Sequence, residues 1–435
     1  MGIAKSVLPT YFDVAIIGAG PVGLAIAIEL ARLDLTTLVV DRRPPPAEDT
    51  GLRPQLLVAR AGDLANLAHL GVDVRDPRIV TLLASRCEAD LATGRTIRGG
   101  VATLHSVPPQ LDLWTLAAQP PRALVPIGRL QQALLERALH HGASVHYGCE
   151  VTRVRRHARF ASLTLADGVA VRAALVVIAT GAARSLALEL LRGACAVELP
   201  EQRIIGALFD AAADEGRWIR VELPVPGLPR LARATVLQTT DAGTGVLVSA
   251  PGQPTAEQLG RCFITAARAH GLLGAPMLVE PQIFATAVTA MARRTIAGDG
   301  RAPIVIAGDA AQTGHVFTGQ TCFVNVALAL RMARELQHAR RAIALQLAGD
   351  AALLRALDRY EQQSQIGAAI LARTSQRHYA PHRSGQWALA GVARANGLAR
   401  RAFRLGGPFV FRLPLRAIKD QWPVTKSARG GRATA

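Results

Sequence analysis

Six residues near the start of the chain, Gly18-Ala19-Gly20-Pro21-Val22-Gly23, restrict its folding more than any other feature. They follow the apolar, β-branched run Asp13–Gly18 and open a helical pattern over Leu24–Leu33, after which Thr36–Val40 reads as a second strand ending at Asp41. A G-x-G-x-x-G spacing at such a strand-to-helix junction suits a dinucleotide. The first glycine permits the tight turn, the second lets the backbone approach a pyrophosphate, and the third lets the helix pack close on the strand. Pro21 and Val22 begin the helix, whose unpaired amides face the phosphate charge. Asp41, 18 residues past the last glycine, is placed to hydrogen-bond an adenosine ribose. Its carboxylate repels the 2′-phosphate of NADP even with Arg42 and Arg43 beside it, so bound FAD is favoured.

Further along, apolar residues at helical spacing over Arg129–His141 lead into a strand Ser144–Tyr147. Glu150–Arg155, Ala161–Ala166 and Val169–Arg172 alternate as a half-buried meander, while Leu175–Ala179 and Ile304–Ala307 are continuous apolar runs of the kind found in buried parallel strands. Between those two runs, Ile204–Phe209, Trp218–Leu223, Thr235–Gln238 and Gly245–Val248 read as antiparallel strands followed by a helix Ala256–His270. Helices are expected over Phe323–His338, Ala351–Gln363 and roughly Trp387–Phe403. The pattern is α/β: a Rossmann FAD-binding domain (1–75, 122–182 and 296–345) with an inserted β-sheet substrate domain (76–121 and 183–295) and a helical, basic C-terminal region (346–435).

The chain has 435 residues, half of them hydrophobic and only 19% charged, which supplies a large core and excludes a disordered class. The net charge of +18 is almost all arginine, and eleven basic residues against one acid fall in Pro381–Ala435. That stretch is a candidate for peripheral membrane contact. Five dispersed cysteines with no C-x-x-C argue against a disulfide framework or a metal site and for a cytoplasmic protein. No nucleic-acid motif is present.

A second cluster, Ala307-Gly308-Asp309-Ala310-Ala311-Gln312, again ends a strand, and its Gly-Asp resembles the segment with which glutathione-reductase-like flavoproteins hold the ribityl chain and pyrophosphate of FAD. The following Gly314-His315-Val316-Phe317-Thr318-Gly319-Gln320-Thr321 is similar to the G-D-A-A-H-x-x-x-P-x-x-G-Q-G stretch of single-domain FAD monooxygenases, the family of para-hydroxybenzoate hydroxylase. Gln312, Val316 and Thr321 replace the usual His, Pro and Gly. The resemblance implies that backbone amides at Gly319, Gln320 and Thr321 face the flavin ring, and it makes Gln312 and His315 the candidate catalytic side chains. Val125-Pro126-Ile127-Gly128-Arg129 resembles a stretch of squalene epoxidases whose arginine reaches FAD, and Arg53 sits in a loop that touches the cofactor in related enzymes.

Thr180-Gly181 stands where these hydroxylases carry Asp-Gly. Styrene and indole monooxygenases share the Thr-Gly and the glutamine at position 312, and they take reduced FAD from a separate reductase. The resemblance therefore implies non-covalent FAD, with NADH, NADPH or a flavin reductase as electron source. It also implies oxygenation by O2 of a small apolar or aromatic molecule through a flavin C4a-hydroperoxide. Two other readings stay open: a reductase of the geranylgeranyl-reductase type and a non-catalytic membrane-surface flavoprotein. The residues argue against a halogenase, since no lysine lies between residues 6 and 418 and the four tryptophans are isolated.

Overall fold

The computed structural model describes residues 11–46, 55–90, 95–99, 112–192, 195–223, 232–250 and 254–379, all within one compact unit. The first sheet is built on the strand Tyr11–Ile17, which pairs in parallel with Thr37–Asp41 on one side and Ala170–Ile178 on the other. Ser144–Tyr147 extends it beyond Thr37–Asp41 and Ile304–Ile306 beyond Ala170–Ile178, both in parallel. Residues buried on both faces explain why these strands read as unbroken apolar runs. Val14 and Ile16 pack with Leu24, Leu30, Leu130 and Phe323 of the covering helices. Ala15 and Ile17 face the other way, against Val154 and Leu163 of the meander.

Two sequence segments expected to be separate are one element. Val169–Arg172 and Leu175–Ala179 form the single strand Ala170–Ile178, whose first half pairs antiparallel with Ala161–Leu165. Ala173-Ala174 adds no turn residue between them, so nothing breaks the strand.

The second sheet runs, from one edge, Gln312–Thr313, Met277–Met291, Cys195–Phe209, Thr244–Ser249, Ala232–Gln238, Gly216–Leu223, Thr81–Asp90, Pro121–Pro126 and Leu56–Arg60. The helix Ala256–Ala269 starts at a Thr255–Gln258 capping box and covers one face, contacting Ile205, Val221, Ala234, Val246 and Val248. Leu56–Arg60 and Pro121–Pro126, from segments assigned to the cofactor domain, pair with each other in this sheet. The sequence also hid Met277–Met291, whose first half is exposed and lacks a clean alternation.

The helix expected to end at Gln363 continues to Tyr379. Gly367 does not stop it because a bare backbone is needed there: a Cβ would lie 2.6 Å from Gln312 Nε2 and 2.8 Å from Leu328 Cδ1. Tyr360 on this helix donates its hydroxyl to the Ile306 carbonyl (3.0 Å), and Glu361 accepts from the Arg294 and Thr295 amides, fixing the helix to the edge of the first sheet. Arg53 and the C-terminal helix Trp387–Phe403 lie outside the described residues.

Candidate dinucleotide cleft and flavin loop

A cleft of about 250 Å³ opens at the carboxyl ends of the first-sheet strands. It is lined by Gly18, Gly20, Pro21 and Val22 from the first turn, Asp41–Arg43 from the second strand, Thr180 and Gly181 from the third, and Gly308, Asp309 and Cys322 from the fourth segment. Four stretches separated by more than 280 residues of chain thus meet in one groove.

The three glycines of the first turn do different things. Gly18 has φ +116°, and a Cβ there would sit 2.3 Å from the Ala179 carbonyl oxygen. Gly23 would place its Cβ 2.0 Å from the Gly18 oxygen, which fixes the close approach of helix Pro21–Arg32 to the strand. At Gly20 a Cβ would meet nothing within 4 Å, so the protein leaves space in front of this helix. That is the space a pyrophosphate needs. No side chain caps Pro21–Arg32 or Thr321–Gln337, so two helix N-termini are left for an anionic ligand.

Asp41 is buried, accepts from the Ala19 amide at 2.8 Å, and is gripped by Arg43 through its amide, Nε (2.9 Å) and Nη2 (2.6 Å). Burial alone raises the Asp41 carboxyl, but Arg43 and the two amides outweigh it and hold it below the usual carboxylate range. A ribose must therefore share this carboxylate with Arg43. Arg42 is exposed, with a loose 3.8 Å ion pair to Glu150 across the mouth of the groove.

Asp309 is held by Asn325, whose Nδ2 donates at 3.1 Å, and Gln312 Nε2 in turn donates to Asn325 Oδ1 at 3.3 Å. Burial raises the Asp309 carboxyl, against the pull of Arg184 and Asn325. Arg184 donates twice to the Asp309 carbonyl (2.8 and 3.1 Å) and once to Thr313 Oγ1, so it ties the loop after Thr180-Gly181 to the loop after Gly308. Nothing in the sequence marked Arg184 or Asn325. Their partners lie 125 and 16 residues away, beyond any local motif.

The loop to Thr321 explains one of its departures. Thr321 Oγ1 accepts from the Gly314 amide at 3.0 Å, closing the loop on itself, which a glycine cannot do. Gly319 has φ +60°, and a Cβ there would press on Val58 at 3.0 Å. Gln320 donates weakly to the Ala117 carbonyl while its Oε1 is buried without a partner, an acceptor left for a ligand donor. Cys322 lines the cleft, but burial pushes its thiol far above the ordinary value, so it is no nucleophile.

The two candidate catalytic side chains do not line the cleft. Gln312 is fully buried, its Oε1 accepting from Ser364 and its Nε2 engaging Asn325. His315 is fully buried as well, bonded through both ring nitrogens to Gln202 and the Phe317 amide and stacked on His378 at 4.8 Å. Burial and then Arg233 push its pKa down to about 3, so the ring stays neutral. Gln312 acts on Asp309 through Asn325. Arg129 sits half-buried in the first turn of Ile127–His140, outside the cleft lining, which Ile127 reaches instead.

Comparisons with known proteins agree with this fold. A model described as FAD dependent oxidoreductase matches residues 13–119, and one described as flavin containing amine oxidoreductase matches 98–203. An aklavinone 12-hydroxylase of Streptomyces purpurascens is 28% identical over 153 residues, 33% of this chain and 27% of that protein. A 12-dehydrotetracycline 5-monooxygenase/anhydrotetracycline 6-monooxygenase of Streptomyces rimosus is 32% identical over 148 residues, 34% of this chain and 25% of its own length. The matched region thus spans about a quarter of each relative. Among solved structures, an aklavinone-11 hydroxylase in complex with FAD and aklavinone superposes with TM-score 0.65 at 22% identity, covering 86% of this chain and 69% of the other. PqsL of Pseudomonas aeruginosa, described as a probable FAD-dependent monooxygenase, gives TM-score 0.63 at 18% identity over 88% of this chain and all of its own.

Proposed function

We propose that this chain, which has the fold of FAD-dependent monooxygenases, binds FAD non-covalently and inserts one oxygen atom of O2 into an aromatic small molecule. The observation that carries the reading is the single groove formed by Gly18, Gly20, Asp41, Thr180, Gly308 and Asp309, open where a pyrophosphate has to lie. When bound and reduced, FAD supplies the activation of O2.

The chain's own residues do the rest. The helix starting at Pro21 offers its amides to phosphate, with Gly20 giving access. Asp41 accepts from ribose while retaining Arg43. Asp309, steadied by Asn325 and Arg184, accepts from the chain linking phosphate to ring. The helix starting at Thr321 presents its positive end where negative charge develops on reduction. The substrate in this reading lies on the second-sheet side of the loop Val316–Thr318, beside the apolar cluster of Phe317, Ile204 and Leu247. In this reading the first sheet with its helices carries the cofactor and the second sheet the substrate. Thr180-Gly181 supports a separate flavin reductase as the electron source.

The test is direct. The purified protein should carry, or take up, one FAD, and the loaded protein with reductant should consume O2 faster when an aromatic substrate is present. A loaded protein that reduces a substrate double bond with no such O2 uptake is a reductase, and the monooxygenase reading falls. Failure to bind FAD overturns the whole assignment.

A further inference from the structure

One face of the second sheet packs on helix Ala256–Ala269. Residues paired in register share a face, and the pairs Ile204↔Ser249, Arg233↔Ser249 and Thr235↔Leu247 put Ile204, Ser249, Arg233, Thr235 and Leu247 together on the opposite one. Gln202, two residues before Ile204, belongs to the same row. Leu208, Trp218 and Leu237 further along this face pack on Leu56, Val58 and Leu124, and Ile204 and Leu247 pack on Phe317. This is the face turned towards the flavin loop.

Gln202 is only 8% exposed, and its orientation is dictated from outside. His315 Nδ1 accepts the Phe317 amide at 3.2 Å, and the buried ring is neutral, so its one proton sits on Nε2. Nε2 must then donate to its neighbour, the Gln202 Oε1 at 2.8 Å. Ser249 Oγ donates to the same oxygen at 3.0 Å. Both lone pairs of Oε1 are used, and flipping the amide would set its NH2 against two donors. The Gln202 Nε2 hydrogens, turned away from His315, meet no acceptor among the described residues. On the other side of the imidazole Tyr379 stands edge-on at 5.5 Å with its hydroxyl buried and unpartnered. The amide is thus held rigidly in one orientation on a side chain that is otherwise buried, and its unpaired hydrogens are placed to meet an acceptor that a ligand supplies.

We propose that Gln202 is a specificity-determining residue that donates its amide hydrogens to an acceptor oxygen, of carbonyl type, on an aromatic ligand lying against this face, with His315 as the positioning residue that locks the amide. The inference rests on the proposed function and deepens it. The substrate carries an oxygen acceptor and is not the plain apolar hydrocarbon that an epoxidase of the styrene type takes.

The experiment compares two probes of nearly equal shape, 1-acetylnaphthalene and 1-isopropenylnaphthalene, by the change each makes in the absorbance of the FAD-loaded protein. The wild type should bind the ketone about tenfold more tightly than the hydrocarbon. Gln202→Met removes the donor at constant size. Gln202→Glu keeps the acceptor for His315 and Ser249 but has no NH2. Both should lose the preference while their FAD content stays at the wild-type level, and His315→Phe, which frees the amide to flip, should weaken it. A wild type that holds FAD yet binds the two probes equally, or binds neither, overturns the inference and leaves the function standing. So does a preference that survives in either FAD-loaded Gln202 variant. A wild type that does not take up FAD defeats the underlying reading instead.

Discussion

The dinucleotide cleft and the sheet face opposite the flavin loop recognise ligands by opposite means. In the cleft the working groups are backbone amides and missing side chains: Gly18, Gly20 and Gly23 each mark a place where a Cβ would collide with the chain or occupy ligand space. On the sheet face the working groups are side chains held by other side chains, as Gln202 is by His315 across 113 residues of sequence. Backbone recognition is written in a few consecutive residues and is readable without a structure. Side-chain recognition depends on which strands become neighbours.

The sharpest way to break that contrast is to separate space for the ligand from space for the protein within one motif. Gly20→Leu adds a side chain where the protein has nothing within 4 Å. It should fold with near-normal stability and lose FAD affinity by about a hundredfold or more, the equivalent of about 3 kcal/mol of overpacking in the bound state. Gly23→Val drives its Cβ into the Gly18 oxygen and should instead lower the melting temperature of the apoprotein. Flavin titration and thermal melts on both variants check the pair. If Gly20→Leu still holds FAD, the open space before the helix is not a phosphate site.

A smaller effect probes a side-chain pair beside the cleft. Asp63 is buried against Arg60, and burial pushes its carboxyl up to about 6 in spite of the arginine. The unfolded carboxyl titrates near pH 4, so between about pH 4 and 6 the native state binds more protons than the unfolded one. Stability from this group therefore falls as pH rises through that window and is level above it. Two units correspond to at most about 3 kcal/mol, or several degrees in melting temperature. Asp63→Asn keeps an oxygen for the Arg60 amide and should remove this component, gaining on the wild type at pH 7 relative to pH 4.5. His315 acts in the other direction, since its neutral ring costs stability as pH falls below about 6.5, so only the difference between wild type and Asp63→Asn isolates Asp63. Identical pH slopes in the two proteins would mean that Arg60 keeps Asp63 ionised.

This division explains what the sequence revealed. That Gly18, Asp41, Gly308 and Asp309 come together was legible because each lies at a strand end, with Gly20 and Gly23 a fixed step into the helix that follows, and strand ends are set by local hydrophobic patterning. The orientation of Gln312 and His315 was not, because proximity to a motif says nothing about which way a side chain turns. Gln312 points to Ser364 on a helix whose continuation past Gly367 was itself hidden. Leu56–Arg60 and Met277–Met291 escaped for the same reason: their pairing partners, not their own residues, make them strands.

The smallest expected effect is none, and it concerns the electron source. A hydroxylase that reduces its own flavin must attract a nicotinamide dinucleotide to the ring, and family resemblance links that ability to an Asp-Gly turn and a histidine at the positions held here by Thr180-Gly181 and Gln312. Thr180 spends its hydroxyl on the Ala183 carbonyl at 2.7 Å, closing its own turn, and Gln312 is consumed by Ser364 and Asn325. Neither offers a charged or free group to a second nucleotide. Stopped-flow mixing of the FAD-loaded protein with NADH or NADPH, with an aromatic ligand present, should therefore leave the flavin absorbance unchanged over seconds, while reduced flavin from a separate reductase should support turnover. Rapid bleaching by either nucleotide would show that backbone and surface contacts alone can dock the nicotinamide. The contrast between backbone-read and side-chain-read sites would then extend to a third ligand.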